Sequence, residues 1–159
     1  MVETKPPPYR RPEQVLIYLY RRAPSGGFEY LLFHRLPRAC SIWQAVSGAA
    51  HWGEELVEAA RREVFEETGI TGLHGLTAVG DFSFPLGHKP WMNYPPGVTH
   101  IHNTVFAAEI RNETVALSEE HDDCQWFGYQ EAKRLLHWPE DRETLERLHT
   151  CLTSGADNT

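Results

Sequence analysis

Apolar residues recur with different periods along the chain, and the changes of period mark its elements. Val15-Leu16-Ile17-Tyr18-Leu19-Tyr20 and Tyr30-Leu31-Leu32-Phe33 are β-branched and aromatic runs, separated by the turn residues Pro24-Ser25-Gly26-Gly27. They predict a β-hairpin. A short extended piece over 43–47 leads into Gly48, after which the pattern becomes helical over 54–68. On a wheel at about 100° per residue, Leu56, Val57, Ala60 and Val64 share one stripe, which should face the core. Glu54 and Glu55 then fall in the first turn, where the helix dipole favours anions, and Gly69 follows the end, where a left-handed cap is needed. Further strands are predicted over 76–84 and 99–110, around a loop rich in Pro, Gly and aromatic residues. An extended piece near 125–127 precedes helices near 130–136 and 141–152. Strands with one early helix and two late ones read as α+β, a mixed sheet with helices on its faces.

Pro6, Pro7, Pro8 and Pro12 favour extended, solvated backbone, so residues 1–12 read as a flexible tail. Residues 13–152 read as one domain and 153–159 as a second flexible tail. The 159 residues are enough for a single core without disulfides or a structural metal. Cys40, Cys124 and Cys151 form no CxxC spacing, and the start has no apolar leader pattern. The expectation is a soluble, cytoplasmic protein with reduced thiols and no membrane span. With 22 acidic residues against 15 Lys and Arg, the net charge of −7 argues against a nucleic-acid partner. Small polyphosphates remain compatible with that charge, because divalent cations can stand between carboxylates and phosphates.

The predicted early helix sharpens this point. Glu67 falls inside its apolar stripe, Glu63 borders the stripe, and Glu66 lies on the same side, whereas Glu58 and Arg62 point further toward solvent. Acids overlapping an apolar face are costly unless cations compensate them. Clustered carboxylate oxygens suit Mg²⁺ or Mn²⁺, and Arg62 could pair with Glu63 or Glu66 to fix their rotamers. The alternative is an ordinary solvated charged face.

Gly48, five residues, Glu54, seven residues, and then Arg62-Glu63-Val64-Phe65-Glu66-Glu67-Thr68-Gly69-Ile70 resemble the complete Nudix box. The resemblance implies a loop-helix-loop over 48–70 set in a mixed-sheet α/β/α sandwich, with Mg²⁺ held against the diphosphate of a nucleotide-like substrate. It implies Glu63 and Glu67 as principal metal ligands and Glu66 as a further ligand or water-positioning base. Arg62 would orient Glu63, Glu54 would assist the water at the metal, and Gly48 and Gly69 would permit the backbone turns.

Beyond the box helix, Ile42 to Gly48, Tyr94 to Thr99, Glu120-His121 before Trp126, and Trp138 with Arg142 resemble the dihydroneopterin triphosphate pyrophosphohydrolase branch, also labelled dATP pyrophosphohydrolase. That resemblance implies release of pyrophosphate from a pterin or nucleoside triphosphate, and Glu120 as a ligand from outside the helix. Trp91 or Tyr94 could stack the ring, or pack on their own domain. His100 and His102 share one strand face, and substrate contact suits them better than zinc, for which no further ligands have a suggestive spacing. Arg35 could meet phosphates, although basic residues at strand ends are often simply solvated. Two other readings are a hydrolase of dinucleoside polyphosphates or other nucleoside-diphosphate conjugates, and a non-catalytic nucleotide sensor. A homodimer is compatible with all of them.

Overall fold

The computed structural model describes residues 9–35, 42–87, 93–119 and 121–156. Its strands are β1 (Glu13–Arg22), β2 (Phe28–Arg35), β3 (Trp43–Gln44), β4 (Val46–Ala49), β5 (His74–Pro85), β6 (His100–Glu109) and β7 (His121–Gly128). Its helices are α1 (Leu56–Thr68), α2 (Tyr129–Leu135) and α3 (Pro139–Ala156). The predicted hairpin forms, with Leu19 opposite Leu31 and Tyr20 opposite Tyr30. The sheet runs β3-β2-β1-β6-β5, with β4 added to β1 and β7 to β2. Most pairs are antiparallel, but β1 and β6 run parallel, so the sheet is mixed.

β1 explains the layers. Its central residues are buried on both sides of the sheet, which is why its run is continuously apolar rather than alternating. Val15, Ile17 and Leu19 face one core with Leu31, Phe33 and Val46, covered by Ala59, Ala60 and Val64 of α1. Leu16 and Tyr18 face the other with Tyr30, Leu32 and Val105, covered by Ala132 of α2 and by Leu145 and Leu148 of α3. This is the expected α+β fold, with helices on both faces of a mixed sheet.

Among the boundaries that differ from the pattern-based expectation are those of α1, of α3 and of the stretch before β1. α1 begins at Leu56 with Glu55 as N-cap, so Glu54 precedes the helix and Glu58 is the acid of its first turn. The Glu54 carboxylate is engaged elsewhere, accepting from the His51 N–H at 2.9 Å and from Arg62. Gly69 does cap α1, at φ 76°, its N–H bonded to Phe65 O at 2.8 Å. α3 continues past Leu152 to Ala156, and residues 9–12 are bonded to the body through Arg10 N–H to Asn93 O and His102 N–H to Pro12 O. No helix among the described residues is long and apolar enough to cross a membrane.

Candidate active site

Arg62 organises the acids of α1. Its Nε donates to Glu54 Oε2 at 2.9 Å and its Nη2 to Glu54 Oε1 at 3.1 Å, a bidentate fork across the turn before the helix. Nη2 also reaches Ala49 O at 2.9 Å, and Nη1 donates to Glu63 Oε1 at 2.9 Å and to Glu66 at 3.3 Å. The wheel pointed Arg62 toward solvent. Instead its side chain is only 22% exposed, because the turn brings acceptors over it. The Arg62 hydrogen bonds hold the Glu54 carboxyl at about 2, well below its ordinary 4.5, helped by the His51 N–H. The same partners, Glu54 first, raise Arg62, so both stay charged.

The three helix carboxylates sit at different depths. Glu67 is the floor, 3% exposed, with Oε1 3.7 Å from Nε2 of the buried His121. His121 in turn lies against the Phe33 ring, 5.3 Å between centroids. Glu63 is the wall, with a side chain 12% exposed, and Glu66 is the rim at 52%. Gly48 makes room for the wall. Rather than sitting at a turn, it lies in β4 opposite Val15, and a Cβ built there would fall 2.1 Å from Glu63 Cδ. The expected turn role therefore belongs to Gly69 alone, while Gly48 permits close approach.

Hard oxygen donors of graded exposure on one helix edge fit a divalent cation that keeps waters and takes phosphate oxygens as further ligands. Among the described residues, no group of three His, Cys, Asp or Glu side chains is already drawn together as a closed cage. Glu120 and Trp91 lie outside the described residues.

The remaining expected residues are dispersed. Arg35 ends β2, exposed, opposite His121. His102 Nε2 lies 3.2 Å from Asp81 Oδ2, and His100 Nδ1 lies 2.9 Å from Thr99 Oγ1. Their β6 parity is that of Phe106 and Ala108, which puts both histidines on the α1 face. Tyr94 packs under Arg10, whose guanidinium carbon is 5.6 Å from the ring centroid.

Sequence reasoning missed a cavity of about 440 Å³ on the opposite face. Phe82, Phe84 and Trp138 give it aromatic walls. Its polar lining includes Gln14, Gln44, Asn103, Glu140 and Asp141. Asn103 is buried, and its Oδ1 has no hydrogen-bond partner among the described residues. Burial, and then the charge of Glu140, push the Asp141 carboxyl up to about 6 against the opposing pull of Arg142. Asn103, on the strand parity of the apolar Ile101, Val105 and Ala107, and aromatic residues two apart at Phe82 and Phe84, were the available signals. Ser47 and Leu16, paired across β4 and β1, line the cavity, while their neighbours Gly48 and Val15 face α1.

The family model described as the NUDIX domain matches residues 9–148. The bis(5'-nucleosyl)-tetraphosphatase [asymmetrical] of Mus musculus is 33% identical over 124 residues, covering 71% of this chain and 80% of that protein. The RNA pyrophosphohydrolase of Bartonella clarridgeiae is 27% identical over 148 residues, 86% of each chain. The structure of the E. coli dihydroneopterin triphosphate pyrophosphohydrolase superposes with a TM-score of 0.71 at 26% identity, covering 87% of this chain and 95% of that one.

Proposed function

The chain belongs to the NUDIX family and is a hydrolase, and from that premise we propose that it is a Mg²⁺-dependent pyrophosphohydrolase of a pterin or nucleoside triphosphate. Mn²⁺ is the natural substitute ion. Glu63 and Glu67 would hold the ion, with Glu66 and Glu120 as further ligands or, for Glu66, the water-positioning base. When bound, the ion neutralises phosphate oxygens and lowers the pKa of its water. Arg62 orients Glu63 and Glu54, and Glu54, ionised at any working pH, accepts a hydrogen bond from the attacking water. The product pair is a monophosphate and pyrophosphate.

The observation that carries the substrate assignment is the cavity. Its aromatic walls suit one flat heterocycle, and Asp141, Glu140 and the Asn103 carbonyl make its lining rich in acceptors. Acceptors select a ring edge that carries donors. A 2-amino-4-oxo-pyrimidine edge, shared by pterin and guanine, places N–H and NH₂ side by side for one carboxylate, whereas adenine offers NH₂ beside an acceptor. The reading therefore favours dihydroneopterin triphosphate over dATP. Because Arg10 already covers Tyr94, the cavity walls take the place of Tyr94 as the stacking surface. β4 pairs only with β1 among the described strands, so the triphosphate reaches Glu63 around its free edge. His100, His102 and Arg35, on or near the α1 side, are its proposed phosphate contacts.

The 33% identity to the mouse tetraphosphatase supports a second reading, hydrolysis of a dinucleoside polyphosphate. A kinetic comparison of dihydroneopterin triphosphate, oxidised dGTP, dATP and diadenosine tetraphosphate with Mg²⁺ separates them, since the ratio of kcat/KM values defines specificity. We expect the pterin triphosphate to lead, with pyrophosphate as product. A larger kcat/KM for the tetraphosphate would establish the second reading instead.

A further inference from the structure

Residues 50–55 join β4 to α1 and belong to neither, so the carbonyls of this turn need partners from outside regular structure. Two guanidinium groups supply them. Arg62 takes Ala49 O, at the end of β4, and Arg11 Nη1 takes both His51 O at 2.8 Å and Glu54 O at 2.6 Å. Arg11 is itself fixed, its side chain 15% exposed and its Nε 2.7 Å from Glu13 Oε1. The chain on either side of Arg11 docks on the same turn. Trp52 Nε1 donates to Tyr9 O at 2.5 Å, and Ala50 N donates to Glu13 O at 3.0 Å.

Glu54 is thus gripped at both ends, its carboxylate by Arg62 and its carbonyl by Arg11. We propose that Arg11 is a positioning residue for hydrolysis, setting the place of the Glu54 carboxylate and, through it, of the Arg62 fork on Glu63 and Glu66. The inference rests on the assignment of Glu54 and Arg62 to the reaction. Arg11 does not line the cavity, so ring binding should be insensitive to it. A lysine there keeps the charge but presents one point donor where a planar fork bonds two carbonyls and a carboxylate in fixed directions.

The test is steady-state kinetics on Arg11→Ala and Arg11→Lys in the full chain with Mg²⁺, using whichever triphosphate of the panel wild type turns over best. Circular dichroism confirms that each variant is folded. The expected result is a fall of kcat by about tenfold or more with KM within about twofold, and for Arg11→Lys a smaller fall. Guanidinium ion added at millimolar level should restore part of kcat to Arg11→Ala and not raise that of wild type. Wild-type kcat in folded Arg11→Ala, or a loss carried by KM, would overturn the proposal. Glu54→Gln serves as the control. If it also keeps full turnover, the assignment of Glu54 fails; if it is slow while Arg11→Ala is not, only the role of Arg11 fails.

Discussion

Gly48 and Glu63 share one space: the carboxylate of the helix residue occupies the position where any strand residue other than glycine would carry its Cβ, 2.1 Å from Cδ and Oε1. Backbone on β4 therefore sets how far Glu63 can withdraw from α1. Gly48→Ala should displace Glu63 and lower kcat by about a hundredfold, with a raised Mg²⁺ requirement and an intact fold. Titration of activity with Mg²⁺ checks this, and unchanged activation would show that Glu63 moves aside freely.

Glu67→Gln removes a buried charge at nearly constant shape. Turnover should fall by about a thousandfold or more, while circular dichroism shows the fold retained. Near-normal turnover would refute the metal assignment.

Arg62→Lys keeps the charge and loses the fork on Glu54, the link to Ala49 O and the reach to Glu63 and Glu66. A fall in kcat by about tenfold to a hundredfold is expected. The Glu54 carboxyl, held at about 2 chiefly by Arg62, should rise toward 4.5. A pH–kcat profile would then show an acid limb at higher pH than in wild type.

Asp141 makes a pH-dependent prediction. Its carboxyl is raised from 3.8 to about 6, so the fold favours its protonated form. That contribution is complete below the unfolded value and is lost as pH rises through about 6, where ionised Asp141 costs on the order of 3 kcal/mol. Asp141→Asn should accordingly be more stable than wild type at about pH 8 and converge with it near pH 4, measured by urea unfolding. For the pterin substrate, KM of wild type should rise as pH falls below about 6, since a protonated carboxyl accepts one donor fewer. In Asp141→Asn, KM should be higher and flat. Glu54 stays ionised throughout this range, so it cannot produce that limb.

The parts of this molecule that were legible in the sequence are those governed by near neighbours. The α1 stripe, the Gly69 cap and the β1–β2 hairpin follow from periodicity or from turn chemistry within a few residues, and the box acids were marked by the family resemblance of 48–70. Parallel pairing of β1 with β6 was not legible, because period-2 patterns say which side a residue faces and not which strand lies beside it. Glu54 was placed inside α1 since acids suit a first turn, but the Arg62 fork and the His51 N–H won that competition. Asn103 on β6 lies far in sequence from Trp138 and Asp141, and they become one cavity only through packing of α3 on the sheet. Arg11, within the stretch that composition assigned to a tail, gave no signal of its link to the turn because its partners there are backbone carbonyls, which every residue possesses.

Ser47 and Gly48 are consecutive, yet one lines the cavity and the other receives Glu63. Alternation along β4 and its partner β1 thus divides these positions into two independent sets, one for each face of the sheet. Drift at Gln14, Leu16 or Ser47 can reshape the ring that is accepted while Val15 and Gly48 keep the acids of α1 in place. An insertion or deletion of one residue has no such latitude: it exchanges the two faces, turning a hydroxymethyl group onto Glu63 and leaving the cavity without its wall. New substrates should therefore arise here by substitution, with the length of β4 held constant.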